Sequence, residues 1–65
     1  MPKITLAAAR VNAGYTQKKA AELLKVSNKT LSSWESGASV PKANKIDAIC
    51  QLYGLSYDNI NFFVQ

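Results

Sequence analysis

Between Asn28 and Ser36 the chain sets out an amide, an ammonium and several hydroxyls at spacings that one side of a helix would gather: Asn28, Lys29, Ser32, Ser33 and Ser36. At about 100° per residue, Leu31 and Trp34 fall on the other side with Thr30 beside them. Such polar groups donate and accept hydrogen bonds, but a serine needs an adjacent base before it can act as a nucleophile. The chain holds no histidine, only four Asp and Glu, and one thiol, Cys50, on an apolar helix face. Its three glycines, Gly14, Gly37 and Gly54, are spaced as helix ends and not as a phosphate-cradling loop. Neither catalysis nor a metal centre is expected from this inventory, and no cofactor or small-molecule ligand is evident. What remains is recognition by hydrogen bonding.

Two helices have to present that face. Thr16 is placed to N-cap a first one, with Gln17 in its opening turn and Ala20, Ala21 and Leu24 as its inner stripe. A turn of a few residues then leads into the helix that carries Asn28. Helices crossing steeply after so short a turn nearly touch, and the methyl group of Ala21 permits the approach. An ordinary surface helix shields itself with long charged side chains. One lined by serines and a single lysine admits close contact, and the major groove of B-DNA is wide enough to receive it.

At these positions the chain resembles the helix-turn-helix regulators of phage repressor and Cro type, the xenobiotic-response-element family. The residues that carry the resemblance are Gly14, Thr16-Gln17, Ala20-Ala21, Leu24, Val26-Ser27, Leu31, Trp34-Glu35, Gly37 and Pro41, within a span from about Leu6 to Phe62. The departure is Lys25, which stands in the turn where the family usually has glycine. The resemblance implies an all-α, compact five-helix, lambda-repressor-like domain over residues 1–65, with the helix-turn-helix at helices 2 and 3. It also implies a double-stranded DNA operator as partner, read by a weak homodimer on a palindromic site. The matching positions at the start and on the outer face of the second helix of the motif would meet base edges: Asn28, Lys29 and Ser33, with Ser32 and Ser27 in lesser roles. Phosphate contacts are expected from Thr16, Gln17 and the free amides around them, and from Lys42, Asn44 and Lys45.

The remaining chain is read as scaffold. Thr5 caps a helix from Leu6 to Ala13 whose apolar stripe includes Arg10. A charge there needs a partner, and Glu35 at the border of the core face of the third helix is the candidate; the other reading lets Arg10 reach solvent. A loop over Ala38 to Lys42, bent at Pro41, leads to a fourth helix from about Asn44 to Tyr53 with Ile46, Ile49, Cys50 and Tyr53 inward. Tyr57, Ile60 and Phe63 recur every third residue after Ser56, as a fifth helix would require. Phe62 points off that stripe. With Val64 it forms either a dimer contact or a terminus folded back on the core.

Sixty-five residues are close to the least that folds without disulfides or metal, and Cys50 alone makes no internal bridge. No apolar run is long enough for a membrane span, so a reducing cytoplasm, close to the nucleoid, is the expected setting. Eight Lys and Arg against four Asp and Glu give a net charge of +4, which suits a polyanionic partner. The alternative from another class is a protein-interaction module on the same fold, an antitoxin-like or antirepressor protein. RNA binding is disfavoured for want of an exposed aromatic platform among the basic residues.

Overall fold

The computed structural model describes residues 3–62. Its elements run β1 (Ile4–Thr5), α1 (Leu6–Asn12), α2 (Gln17–Leu24), α3 (Asn28–Ser36), α4 (Ala43–Tyr53), a 3-10 turn over Tyr57–Asn59, and β2 (Ile60–Asn61). Local chemistry accounts for most of these boundaries. Thr5 accepts from the amide of Ala8, Thr16 from that of Lys19 and Ser27 from that of Thr30, each supplying an orphan N–H of the first turn with a side-chain oxygen. Gly14, Gly37 and Gly54 all take positive φ just past helix ends.

The turn between α2 and α3 reaches the same conformation without glycine. Lys25 sits at φ 61°, ψ 41°, its N–H donating to the carbonyl of Glu22 while that of Val26 donates to Ala21. The same pair of bonds closes α3 at Gly37 and Ala38. Lys45 adds a third: its ammonium donates to the carbonyl of Leu24 at 2.8 Å. A cation at the negative end of α2 is favourable and supports a turn whose left-handed residue carries a side chain.

The core is built from Leu6 and Ala9 of α1, Ala20, Ala21 and Leu24 of α2, Leu31 and Trp34 of α3, Ile49 and Tyr53 of α4, and Ile60 and Phe62. Ala20 and Ala21 are at most 3% exposed. With only methyl groups at the crossing, α2 and α3 come together closely, and Leu31 is sealed between helices.

One expectation needs correction. Four α-helices are present among the described residues, and the fifth is replaced by the 3-10 turn and a strand. That strand pairs in parallel with the start of the chain, Ile4 with Ile60 and Thr5 with Asn61. A helix of one or two turns has little cooperative support. Here Asn59 also turns its side-chain amide onto the hydroxyl of Ser56, offering a local alternative to helix. The three-residue recurrence of Tyr57 and Ile60 is served equally well by a 3-10 turn. Of the two readings of Phe62, the structure takes the one folded back on the core: the ring is 2% exposed and stacks on Tyr57 with centroids 5.6 Å apart. Extended backbone from Ile60 turns that ring inward, so it offers no surface to a second copy. Val64 lies outside the described residues.

Tyr53 carries the one buried side-chain polar atom without a hydrogen-bond partner among the described residues, its hydroxyl. Burial first, then the nearby Glu35 carboxylate, push the phenol up to about 12, with the Arg10 guanidinium pulling the other way. The folded chain therefore keeps a proton that the unfolded chain gives up near pH 10. Stability is fully present below that value and is lost as pH rises through the window up to about 12.

Two outcomes follow for stability. Lys25→Gly relieves a left-handed side chain and is expected to raise the free energy of unfolding by about 1 kcal/mol, read as a higher urea midpoint at unchanged slope. An unchanged or lowered midpoint contradicts this reading of the turn. Tyr53→Phe gives up no hydrogen bond, so at neutral pH it should be at least as stable as the parent. Between about pH 10 and 12 it should lose less stability than the parent. Equal alkaline losses in the two proteins would show that the phenol is not responsible.

Candidate nucleic-acid interface

The site lies where the N-termini of α2 and α3 meet, and a half-buried charged group behind it ties the junction together. Glu35, near the end of α3, is 8% exposed and Arg10 of α1 is 15% exposed. Arg10 Nε donates to Glu35 Oε2 at 2.8 Å, and its Nη1 donates to the carbonyl of Tyr15 at 2.8 Å. The other oxygen, Glu35 Oε1, accepts from Gln17 Nε2 at 3.0 Å. Gln17 Oε1 in turn accepts from Asn28 Nδ2 at 3.2 Å. A continuous chain of polar contacts thus runs from α1 through the end of α3 and the start of α2 to the start of α3.

Asn28, Lys29, Ser32 and Ser36 are exposed on the outer side of α3, while Leu31 and Trp34 are buried behind them. Ser33 is half-buried, and its hydroxyl shares a 2.8 Å hydrogen bond with that of Ser39 in the following loop. Ser27 is occupied as the cap of α3, since its hydroxyl accepts from the Thr30 amide and donates to the Thr30 hydroxyl. Thr16 is similarly the cap of α2. Lys42 and Asn44 are exposed at the start of α4, beyond the loop. Lys45 differs from them, because its ammonium is turned onto the Leu24 carbonyl. The sequence-level set therefore divides. Asn28, Lys29, Ser32 and Ser33 share the outer side of α3 with Gln17 adjoining; Lys42 and Asn44 flank α4; and Lys45 is directed into the fold.

Electrostatics single out the same edge. None of the four α-helices has an acidic residue in its first turn, although the positive end of the helix dipole favours one. Lysines stand there instead: Lys18 and Lys19 on α2, Lys29 on α3 and Lys45 on α4. Lys3, Lys18, Lys19, Lys25, Lys29 and Lys42 are exposed, and Arg10–Glu35 is the one ion pair among the described residues. Positive side chains and unneutralised helix ends together form an anion-attracting edge around Gln17 and Asn28.

Sequence reasoning missed Ser39, the Gln17–Glu35 and Gln17–Asn28 contacts, and the capping role of Lys45. The two Gln17 contacts join α2 to α3 and the Lys45 contact joins α4 to α2, so no local spacing announces them; Ser39 reaches Ser33 through the fold of the loop after α3. The described residues form no pocket and no group of metal-ligating side chains. The Cys50 thiol, half-buried on α4, is pushed up by burial and by the carboxylate of Asp47, which disfavours the nucleophilic thiolate. Among the described residues no helix is long and apolar enough to cross a membrane.

Compared with known proteins, residues 6–60 match the family model described as helix-turn-helix. No curated protein and no solved structure matches the chain. The matched span starts at the first residue of α1, contains both helices of the crossing and ends at Ile60 of β2. By that match over most of its length, the chain belongs to the Cro/C1-type helix-turn-helix family of DNA-binding regulators.

Proposed function

We propose that this chain is a sequence-specific regulator that lays α3 (Asn28–Ser36) in the major groove of double-stranded DNA and binds a two-fold symmetric operator as a weak dimer. The observation that carries this reading is the joined N-terminal edge of α2 and α3, where the Asn28 amide, the Lys29 ammonium and short hydroxyls stand exposed among lysines with no first-turn carboxylate. In this reading Asn28, Lys29 and Ser33 meet base edges, with Ser32 beside them and Ser27 at the margin. Lysine donates to guanine O6 and N7, an amide pairs with adenine N6 and N7, and hydroxyls serve either way. Gln17, Thr16 and the opening amides of α2 hold one phosphate, and Lys42 and Asn44 hold another across the loop. Lys45 contributes to the field from its position on Leu24. DNA as partner places the chain with the genome, inside the cell. Its dimer surface is not the Phe62 ring, which is in the core.

Selection from randomised duplex DNA at two salt concentrations tests this reading. A palindromic site with half-sites about one helical turn apart, and affinity falling steeply with salt, is the expected result. A folded sample that enriches no sequence would overturn it and favour the antitoxin-like or antirepressor reading. Within a selected site, Lys29→Ala should relax preference at one base pair at a cost of about 1 to 3 kcal/mol. Lys42→Ala should instead weaken binding to all sequences and lower the salt slope by about one. If the two variants have the same effect, the division between base and phosphate contacts is wrong.

A further inference from the structure

The polar chain behind Asn28 has a direction. A carboxylate only accepts hydrogen bonds, so both contacts to Glu35 are made by donors: Arg10 Nε at 2.8 Å and Gln17 Nε2 at 3.0 Å. With its nitrogen committed to Glu35, Gln17 turns its oxygen toward Asn28, and Asn28 answers with its own nitrogen at 3.2 Å. Asn28 is left with its oxygen and one N–H for solvent, an acceptor beside a donor. That pattern complements the major-groove edge of adenine, which offers a donor at N6 and an acceptor at N7, and it mismatches guanine, which offers two acceptors. Had Asn28 been held by its oxygen, both N–H groups would face outward and the complement would be guanine.

From this polarity we infer that Glu35 is a positioning residue for base choice: it fixes, through Gln17, which end of the Asn28 amide faces the DNA, and so selects adenine at that position. The inference rests on the DNA-reading role proposed above. It gives the half-buried carboxylate of Glu35 a role in specificity beyond its ion pair with Arg10. Neutralising Glu35 reverses the chain. In Glu35→Gln the single oxygen stays with Arg10, which can only donate, and the new NH2 faces Gln17. Gln17 then presents its oxygen to residue 35 and its nitrogen to Asn28, and Asn28 turns over to accept. Adding Gln17→Glu restores the original direction, because a carboxylate at 17 accepts from residue 35 on one oxygen and from Asn28 on the other.

The experiment is duplex selection with the parent chain and with Asn28→Ala, Glu35→Gln, Gln17→Met and the double variant Glu35→Gln with Gln17→Glu. The readout is the ratio of adenine to guanine at the base pair whose preference Asn28→Ala abolishes. As a ratio within one sample, it does not depend on the folded fraction or on uniform changes in phosphate affinity. The parent is expected to favour adenine there, and Glu35→Gln to lower the ratio by about 5- to 100-fold, the range of one bidentate contact. Gln17→Met should flatten the preference without a gain for guanine, and the double variant should bring adenine back at lower overall affinity. A parent with no selected site would overturn the DNA reading itself. A selected site at which the parent prefers guanine, at which Asn28→Ala abolishes no preference, or at which either Glu35→Gln or Gln17→Met keeps the parent's ratio would overturn the inference and leave that reading standing. If Glu35→Gln does not fold, Gln17→Met decides: an unchanged ratio overturns the inference and a flattened one supports it.

Discussion

A carboxylate that is 8% exposed in so small a protein is the constraint around which this fold closes. An unpaired charge at that depth would be very costly, so Glu35 needs donors on both oxygens. Arg10 comes from α1 and Gln17 from α2, while Glu35 itself belongs to α3. The same guanidinium also holds the Tyr15 carbonyl in the connection between α1 and α2. One ionised group thereby fixes three helices and a loop. Removing either partner would leave the other charge, partly shielded from water, without its main hydrogen bond, a loss that counts in a chain of 65 residues.

The charge distribution elsewhere works against stability and toward binding. Acidic residues in first turns would each contribute about 0.3 to 1 kcal/mol, and all four α-helices go without. Lys18 and Lys19 at the start of α2 and Lys29 at the start of α3 add repulsion with the dipole. Residues on a surface selected for stability alone would be arranged the other way round. The capping hydroxyls of Thr5, Thr16 and Ser27 recover part of what is lost, because they satisfy amides without adding negative charge. The positive edge therefore persists where the proposed phosphates would lie.

The features legible in the sequence were local ones. Caps, glycine C-termini and the stripes of α1 to α4 are decided within a few residues, and each could be read from type and spacing. Arg10 was legible for a different reason: a charge on an apolar stripe demands a partner, and Glu35 projected at the border of the core face of the third helix. The C-terminal segment was misread because a three-residue recurrence fits a 3-10 turn as well as a helix, and the deciding contact, Ile4 with Ile60, joins residues far apart in the sequence. The bond from the Lys45 ammonium to the Leu24 carbonyl, 2.8 Å long, was not legible because it joins the start of α4 to the end of α2 across the fold. Of the interface, residue types and their face were readable. Its polarity was not, since that depends on hydrogen bonds across the helix crossing.

That polarity matters because the outer face of α3 is made of short side chains. A serine hydroxyl or an asparagine amide has little reach, so a partner must come close to the backbone, and small errors of orientation remove the contact. The structure answers with restraint. Asn28 is tied to Gln17, Ser33 to Ser39 and Ser27 to Thr30, leaving Lys29 as the long exposed side chain free to move. Groups already held in one orientation lose less freedom on binding than free ones, so more of each hydrogen bond appears as affinity. In the proposed reading the same restraint produces discrimination, because an amide that cannot turn over cannot adapt to the wrong base. Short side chains on α3 and the half-buried carboxylate behind them are then two parts of one device: the first requires fixed geometry, and the second supplies it.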